Sequence, residues 1–344
     1  MMGMDVRGHG HGWGRVLAAA FLALALAGAS GCSLLTPSRA DVVPDPTRAA
    51  LSAPSIATNG VLTVGIDASD APQVMTDSSG RLTGYTADVA RALGRKLGLK
   101  VAFSTDSYAK DAGSTGGPDI YLGATSADAS DDIAVSGSYL ESAPALFTKV
   151  ADGSPSATGA ALAAESLVGA TVAVQTGSNA ADVLTKSGIT ATQKPYANIN
   201  ECFKVLTSGE VQYVACEATA GAYLARAYAG VRFAGSIDAP TSYGVAVRAT
   251  NAGLAEAVDG ALKELAQDGT LDAIHAAWYG SLPSSLTDSL VSGISTSADR
   301  EKAEQDRKAE EEAKKKQQEE AAANAGDASS ASDDASASDT SGAA

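Results

Sequence analysis

The sequence predicts an α/β fold built as two lobes, and three observations predict it. Leu62–Phe103 reads as a strand, a polar loop, a turn, a helix and a second strand. Strand-like runs recur downstream at Pro118–Gly123, Val168–Gln175, Val211–Cys216 and Ser242–Arg248, with helical stretches among them. The segment between an apolar leader and a charged tail is long enough for two such lobes, and 45% of the chain is hydrophobic, ample for their cores.

In the first unit, Val61–Asp67 is β-rich and Asp77-Ser78-Ser79-Gly80 signals a reversal. Thr86 is placed to cap the following helix, with Asp88 in its first turn. Val89, Leu93 and Leu97 recur at helical spacing, so one face packs inward. Ligands of such folds sit beyond the carboxyl ends of the strands, and Asp67 stands at that end. Farther on, Asn198 and Glu201 form a capping-box-like helix start, and Gly209 stops the helix after Ser208. Val211–Cys216 then runs back as a strand. Such a helix rises about 10 Å and such a strand about 16 Å, so Cys202 and Cys216 come level. A Cys202–Cys216 disulfide is expected, stabilising by up to about 3 kcal/mol; the alternative is a pair of buried thiols.

Residues 1–32 read as an export leader. Arg7 and Arg15 precede the apolar run Val16–Ala27, too short for a permanent membrane span, and Ala29-Ser30-Gly31-Cys32 follows. The last four residues resemble a lipobox, whose Cys is acylated, so Cys32 is the expected site of a lipid anchor; an ordinary secretory signal is the alternative. Residues 33–58, with four prolines, read as a flexible tether. The net charge of −15, from 25 basic and 40 acidic residues, argues against a nucleic-acid partner. Residues 297–323 carry Glu304/Lys308, Glu310/Lys314, Glu311/Lys315 and Glu312/Lys316 at helical i,i+4 spacing, the mark of a solvated helix. Residues 324–344, rich in Ser, Ala and Asp, are expected to be disordered. The tail is either a spacer or contact arm, or passive.

Val64-Gly65-Ile66-Asp67-Ala68-Ser69, Pro72 and Gly84-Tyr85-Thr86-Ala87-Asp88-Val89-Ala90 resemble the opening of the amino-acid-type solute-binding proteins of bacterial ABC importers, extracellular solute-binding protein family 3. Ser138–Ala143, Val168–Ser178, Gly209–Glu217, Ser242–Arg248 and Leu262–Gly280 resemble later motifs in the family's order, so the likeness covers about residues 60–282. It implies the periplasmic-binding-protein type II fold, two α/β lobes hinged around a central ligand cleft. Lobe 1 would be 59–145 plus 240–285 and lobe 2 would be 146–239. The crossing strands of the hinge would lie near Leu146–Val150 and Ala239–Val245.

The resemblance also assigns site residues. Glu217 takes the ammonium-binding acid position, Ser178 and Asn179 stand at a lobe 2 helix start, and Tyr108 matches a stacking aromatic. Asp67 matches a side-chain-reading acid, and Gly123, Thr125 and Ser126 follow the third strand where relatives place ligand-binding amides and hydroxyls. Two devices do not carry over. Asp70 and Gln73 stand where aromatics are usual. The arginine that clamps an α-carboxylate is missing, with Asp131 or Ala129 at its position and no basic residue between Lys110 and Lys149. Asp67, Asp70, Asp131 and Glu217 would then make a cation-seeking cleft; alternatively Asp128, Asp131 and Asp132 only start a solvated helix. Tyr85 and Tyr121 are expected to pack in the core.

The expected function is that of an extracytoplasmic lipoprotein capturing a small polar solute, amino-acid-like or an amine, for an ABC permease. It would be a monomer tied to the outer face of the cytoplasmic membrane by lipid. A cleft that has lost its ligand and serves envelope sensing is the alternative. A dehydratase-type enzyme finds less support: there is no nucleophile elbow, no metal-ligand spacing and no cofactor motif, and His275 is expected on the surface.

Overall fold

The computed structural model describes residues 51–105, 107–150 and 162–333, with side chains described as far as residue 320. The leader with Cys32, the tether up to residue 50 and the tail from residue 334 lie outside the described residues. The chain begins lobe 1 with β1 (Val61–Gly65), a small hairpin of β2 (Met75–Thr76) and β3 (Leu82–Thr83), and helix α1 (Tyr85–Lys96). It continues through β4 (Lys100–Ser104), β5 (Ile120–Ala124) and β6 (Ile133–Ser142). Lobe 2 holds β7 (Pro144–Lys149), β8 (Thr171–Gln175), α2 (Asn179–Lys186), β9 (Thr192–Tyr196), α3 (Ile199–Ser208), β10 (Tyr213–Glu217), α4 (Ala218–Ala225) and β11 (Val231–Ser236). The chain returns to lobe 1 as β12 (Thr241–Arg248), α5 (Ala252–Gln267) and α6 (Thr270–Tyr279), and closes with α7 (Ser297–Asp333).

Each lobe is a five-stranded mixed sheet, ordered β4-β1-β5-β12-β6 in lobe 1 and β11-β7-β10-β8-β9 in lobe 2. In lobe 1, β1 runs parallel to β4 and β5, with Gly65 opposite Ser104 and Tyr121. In lobe 2, β8 runs parallel to β9 and β10. The carboxyl ends of β1, β4 and β5 therefore share one edge, as do those of β8, β9 and β10. These are the edges at which an α/β sheet presents its ligand groups. The chain passes between lobes at Ala143, between β6 and β7, and at Ile237–Pro240, between β11 and β12. Leu146–Val150, expected as a crossing strand, instead lies mostly inside the lobe 2 sheet as part of β7, because Pro144 already pairs with Glu217 of β10.

A third passage was not foreseen. Beyond α6, Glu141 of β6 accepts the Leu286 N–H at 2.8 Å and the Ser285 hydroxyl at 3.1 Å. Leu290 then bridges to Ser236, and Ser292 to Ala163. The Ser297 N–H, opening α7, donates to Asp238 at 2.8 Å. The segment after lobe 1 thus runs along the edge strands of both lobes and seats α7 on lobe 2. That helix continues to Asp333, ten residues past the expected start of disorder. Lys308–Glu304 and Lys314–Glu310 are closed ion pairs at 2.7 Å.

The end of the expected tether is also held. Ile56 is buried, Ala57 donates its N–H to Asp119 at 2.7 Å, and Asn251 donates to the Ser55 carbonyl at 2.8 Å. Asp119 is buried and accepts from Thr63 as well, so residues 51–58 satisfy a carboxylate that the core would otherwise strand.

Helix α1 shows how the sequence fixes the edge of the cleft. Its N-cap is Gly84, not Thr86. The Tyr85 and Thr86 N–H groups donate to the carbonyls of Pro72 and Gln73 at 3.4 and 3.0 Å, so the first loop caps the helix and the helix positions the loop. Thr86 is freed to meet the Tyr139 hydroxyl at 3.4 Å. Gly84 adopts φ +123, and a Cβ there would stand 2.3 Å from the Gln73 oxygen. Gly84→Ala is expected to cost about 2 kcal/mol or more by denaturant unfolding; an unchanged midpoint would contradict this packing.

Candidate functional site

The carboxyl edge of the lobe 1 sheet carries Asp67 and Asp70 after β1, Tyr108 after β4, Gly123 near the end of β5, and Thr125 and Ser126 after it. Asp67 is turned into its own loop, where the Ser69 N–H and hydroxyl both donate to Oδ1 at 2.8 and 2.6 Å. Those bonds hold its carboxyl below the usual range. Asp70 is reached by solvent, yet burial among protein atoms raises its carboxyl, and the neighbouring Asp67 charge adds to the rise. Gly123 forms the bulge where β5 meets Gly244 and Val245 of β12. Thr125 is committed locally, giving its N–H to Asp128 at 2.8 Å and its hydroxyl at 3.1 Å, and Ser126 is exposed beside it. Tyr108 stands 68% exposed, with the Lys110 ammonium 5.7 Å from its ring centre.

Facing groups come from the carboxyl edge of lobe 2. Glu217 ends β10 and accepts the Ser142 hydroxyl at 2.6 Å. Burial raises its carboxyl above the ordinary range, the Ser142 bond opposes that rise, and Asp70 adds to it. The Asp70 charge of lobe 1 thus reaches the lobe 2 acid, as the smallest of the three influences on it. Tyr121 and Tyr243 are pushed up to about 12, by burial first, then by Asp67, Asp128 and Asp70 for Tyr121 and by Glu217 and Asp70 for Tyr243. Ser178 and Asn179 lie at the same edge, after β8. The Ser178 hydroxyl caps its own helix by accepting the Ala181 N–H at 3.3 Å, and Asn179 is exposed.

A hydrogen-bond chain joins the two edges. Gln73 Nε2 donates to Thr219 Oγ1 at 3.1 Å, Thr219 Oγ1 lies 3.2 Å from Ser142 Oγ, and Ser142 donates to Glu217. Ser142 has one proton and gives it to Glu217, so Thr219 donates to Ser142 and accepts from Gln73. The chain starts in lobe 1, runs through the hinge strand and ends on the lobe 2 acid.

Residues 62–281 match the family described as bacterial extracellular solute-binding proteins, family 3. The chain belongs to this family. Among solved structures, this family 3 protein is similar to an ancestral cationic amino acid solute-binding protein, at 25% identity and TM-score 0.53, over 64% of this chain and 96% of that one. It is also similar to the unliganded, open L-cystine solute receptor of Neisseria gonorrhoeae, at 23% identity and TM-score 0.55, over 66% of this chain and 95% of the receptor. A polar amino acid ABC uptake transporter substrate-binding protein from Streptococcus thermophilus matches at 18% identity and TM-score 0.56, covering 67% and 89%. Comparison with curated proteins finds no match.

Several expectations change in the family 3 protein. Asp131 is not in the cleft: Ile133 pairs with Arg248, and Val247 with Ile120, so β6 starts at the sheet edge opposite the carboxyl ends of β1 and β5. The chain has already descended the sheet by Asp131, which is exposed there. Asp128 stays near Tyr121, with its carboxylate spent on Thr125. The disulfide is absent, since Cys202 and Cys216 are both free and buried. Cys202 turns to its own helix, donating to the Asn198 carbonyl at 3.5 Å, and the Cys216 sulfur packs against Gly221 of α4. His275 is buried beneath Tyr85 and Tyr279, with ring centres 6.1 and 5.1 Å away, because α6 packs that face onto lobe 1. Tyr85 is core, as expected, whereas Tyr121 lies partly exposed among the cleft acids.

Gln73, Ser142, Thr219, Tyr121 and Tyr243 were the residues missed. Ser142 and Thr219 had a readable signal, since Ser142 closes the Ser138–Ala143 motif and Thr219 lies two residues past Glu217. Tyr243 likewise lies in the Ser242–Arg248 motif and the expected hinge strand, but nothing local turns it toward the acids.

Among the described residues, no group of three His, Cys, Asp or Glu side chains is arranged to hold a metal, and no helix is long and apolar enough to cross a membrane. The raised Glu217 carboxyl fixes a pH effect. A folded state that binds its proton more tightly than the unfolded chain, whose value is near 4.5, loses stability as pH rises through the folded value. Glu217→Gln removes that loss. Its melting temperature is expected to gain on the wild type as pH rises from about 4 to about 7; a pH-independent difference would contradict the assignment.

Proposed function

We propose that this protein is an extracytoplasmic receptor that captures a small cationic solute, an amine or an amino-acid-like cation lacking a free α-carboxylate, by closing its lobes. It would deliver that solute to an ABC permease. The observation that carries this reading is the lobe 2 acid Glu217, held by the Ser142 hydroxyl and within reach of the Asp70 charge of lobe 1, with no arginine between Lys110 and Lys149 to receive a carboxylate. In the empty cleft the two carboxylates repel. An ammonium between them turns the repulsion into two attractive pairs and favours closure. Tyr108, Tyr121 and Tyr243 supply aromatic faces that favour a cation further. A bound α-carboxylate would lack its charge-assisted partner and face like charges, a loss of about 2–5 kcal/mol.

The ancestral cationic amino acid solute-binding protein, at 25% identity, agrees with a cation-selective cleft. Export and lipid anchoring at Cys32 rest on the leader motif, Ala29-Ser30-Gly31-Cys32. Thermal unfolding tests the reading. 1,4-Diaminobutane or agmatine in large excess is expected to raise the melting temperature, by about 2.7 kcal/mol of linkage at a hundredfold over Kd. Glycine, alanine and glutamine are expected to leave it in place. Tight binding of any of these three zwitterions would refute the cation reading. No shift with amines, amino acids, peptides or sugars would favour a cleft without a ligand.

A further inference from the structure

Gln73 occupies an unusual position for a polar side chain. Its amide spans the lobes to Thr219, it is only 8% exposed, and its Oε1 is buried with no hydrogen-bond partner among the described residues. A buried carbonyl oxygen without a donor is costly, and proteins seldom keep one unless a donor arrives from elsewhere. Thr219 and Ser142 direct their protons along the chain to Glu217, so neither turns one to Oε1. Within this relay Oε1 is therefore the acceptor left without an N–H or O–H group.

We propose that Gln73 is a specificity-determining residue of the cleft. Its Oε1 takes an N–H of the ligand's ammonium alongside Asp70 and Glu217, so the site selects primary or secondary ammonium groups over quaternary ones. The inference rests on the cation-receptor reading and adds the ligand's hydrogen-bonding class. The same amide orders the relay. With Nε2 on Thr219, every donor in the chain points toward Glu217, which keeps the carboxylate's remaining lone pairs turned to the solute. The backbone serves the arrangement, because the Gln73 carbonyl accepts from Thr86 at the start of α1 and the side chain is held from below by a helix end. Lobe closure and ammonium recognition are thus made by one side chain.

Titration calorimetry on the full chain tests this with two probes of equal charge, 1,4-diaminobutane and its permethylated bis-quaternary analogue, which has no N–H. The wild type is expected to bind the diamine more tightly than the analogue. Gln73→Leu is expected to weaken the diamine by roughly tenfold or more and to leave the analogue unchanged. Its unliganded melting temperature is expected to hold or rise, since an orphaned acceptor is removed. Thr219→Val, which cuts the relay but leaves Oε1 in place, is expected to cost less than Gln73→Leu. Equal losses for both probes in Gln73→Leu, or an unchanged diamine affinity, would overturn the role of Gln73 and leave the cation receptor standing. Failure of the wild type to bind either probe would remove the cation-receptor reading, and this inference with it.

Discussion

Ala143 alone separates the last strand of the first lobe 1 segment from the first strand of lobe 2, and the site depends on that economy of chain. With no loop between β6 and β7, Ser142 is delivered to the cleft floor at a fixed height. β7 pairs Pro144 with Glu217, so the acid arrives within 2.6 Å of the Ser142 hydroxyl. The Ala218 N–H donates to the Ala143 carbonyl at 2.8 Å, which ties the start of α4 to the same point. The carboxylate, its serine donor and Thr219 are therefore set by backbone pairing before any ligand arrives. Such preorganisation lowers the ordering cost of binding.

Around that floor the lobes share apolar packing. One core runs from Leu62 and Val64 through Tyr139, Leu140, Ala143 and Ala145 to Phe147 and Phe203. Trp278 of α6 donates to Asp88 at 2.9 Å and stacks on Tyr223 of lobe 2, with ring centres 6.0 Å apart. The passage held by Glu141 adds a third tie. These links leave rotation about them as the motion by which the proposed receptor would close.

The pattern of the first lobe was legible because it is local. Strand, turn and helix between Leu62 and Phe103 follow from alternation and spacing, and the α3 helix has its Asn198 cap and Gly209 stop where the sequence put them. What escaped was set by pairing between distant segments. Asp131 looks like a cleft residue in sequence, yet the register of β6 against β12 carries it to the opposite edge. The cysteines were level along the chain but turned to different partners, a matter of side-chain direction that rise per residue does not fix. Residues 286–296 carry no motif, and only contacts with distant segments, from Glu141 of lobe 1 to Ser236 and Ala163 of lobe 2, show where they run. Gln73 read as the loss of an aromatic; its gain of a partner in Thr219 appears only once the lobes are placed.

In the proposed receptor, an ammonium bridging Asp70 and Glu217 draws the lobes together. Small-angle X-ray scattering with and without saturating 1,4-diaminobutane measures this most directly, with potassium chloride at matched ionic strength as the control. The radius of gyration is expected to shrink with the diamine and to stay unchanged with the salt. A diamine that binds, by calorimetry, while the radius of gyration stays the same would contradict it.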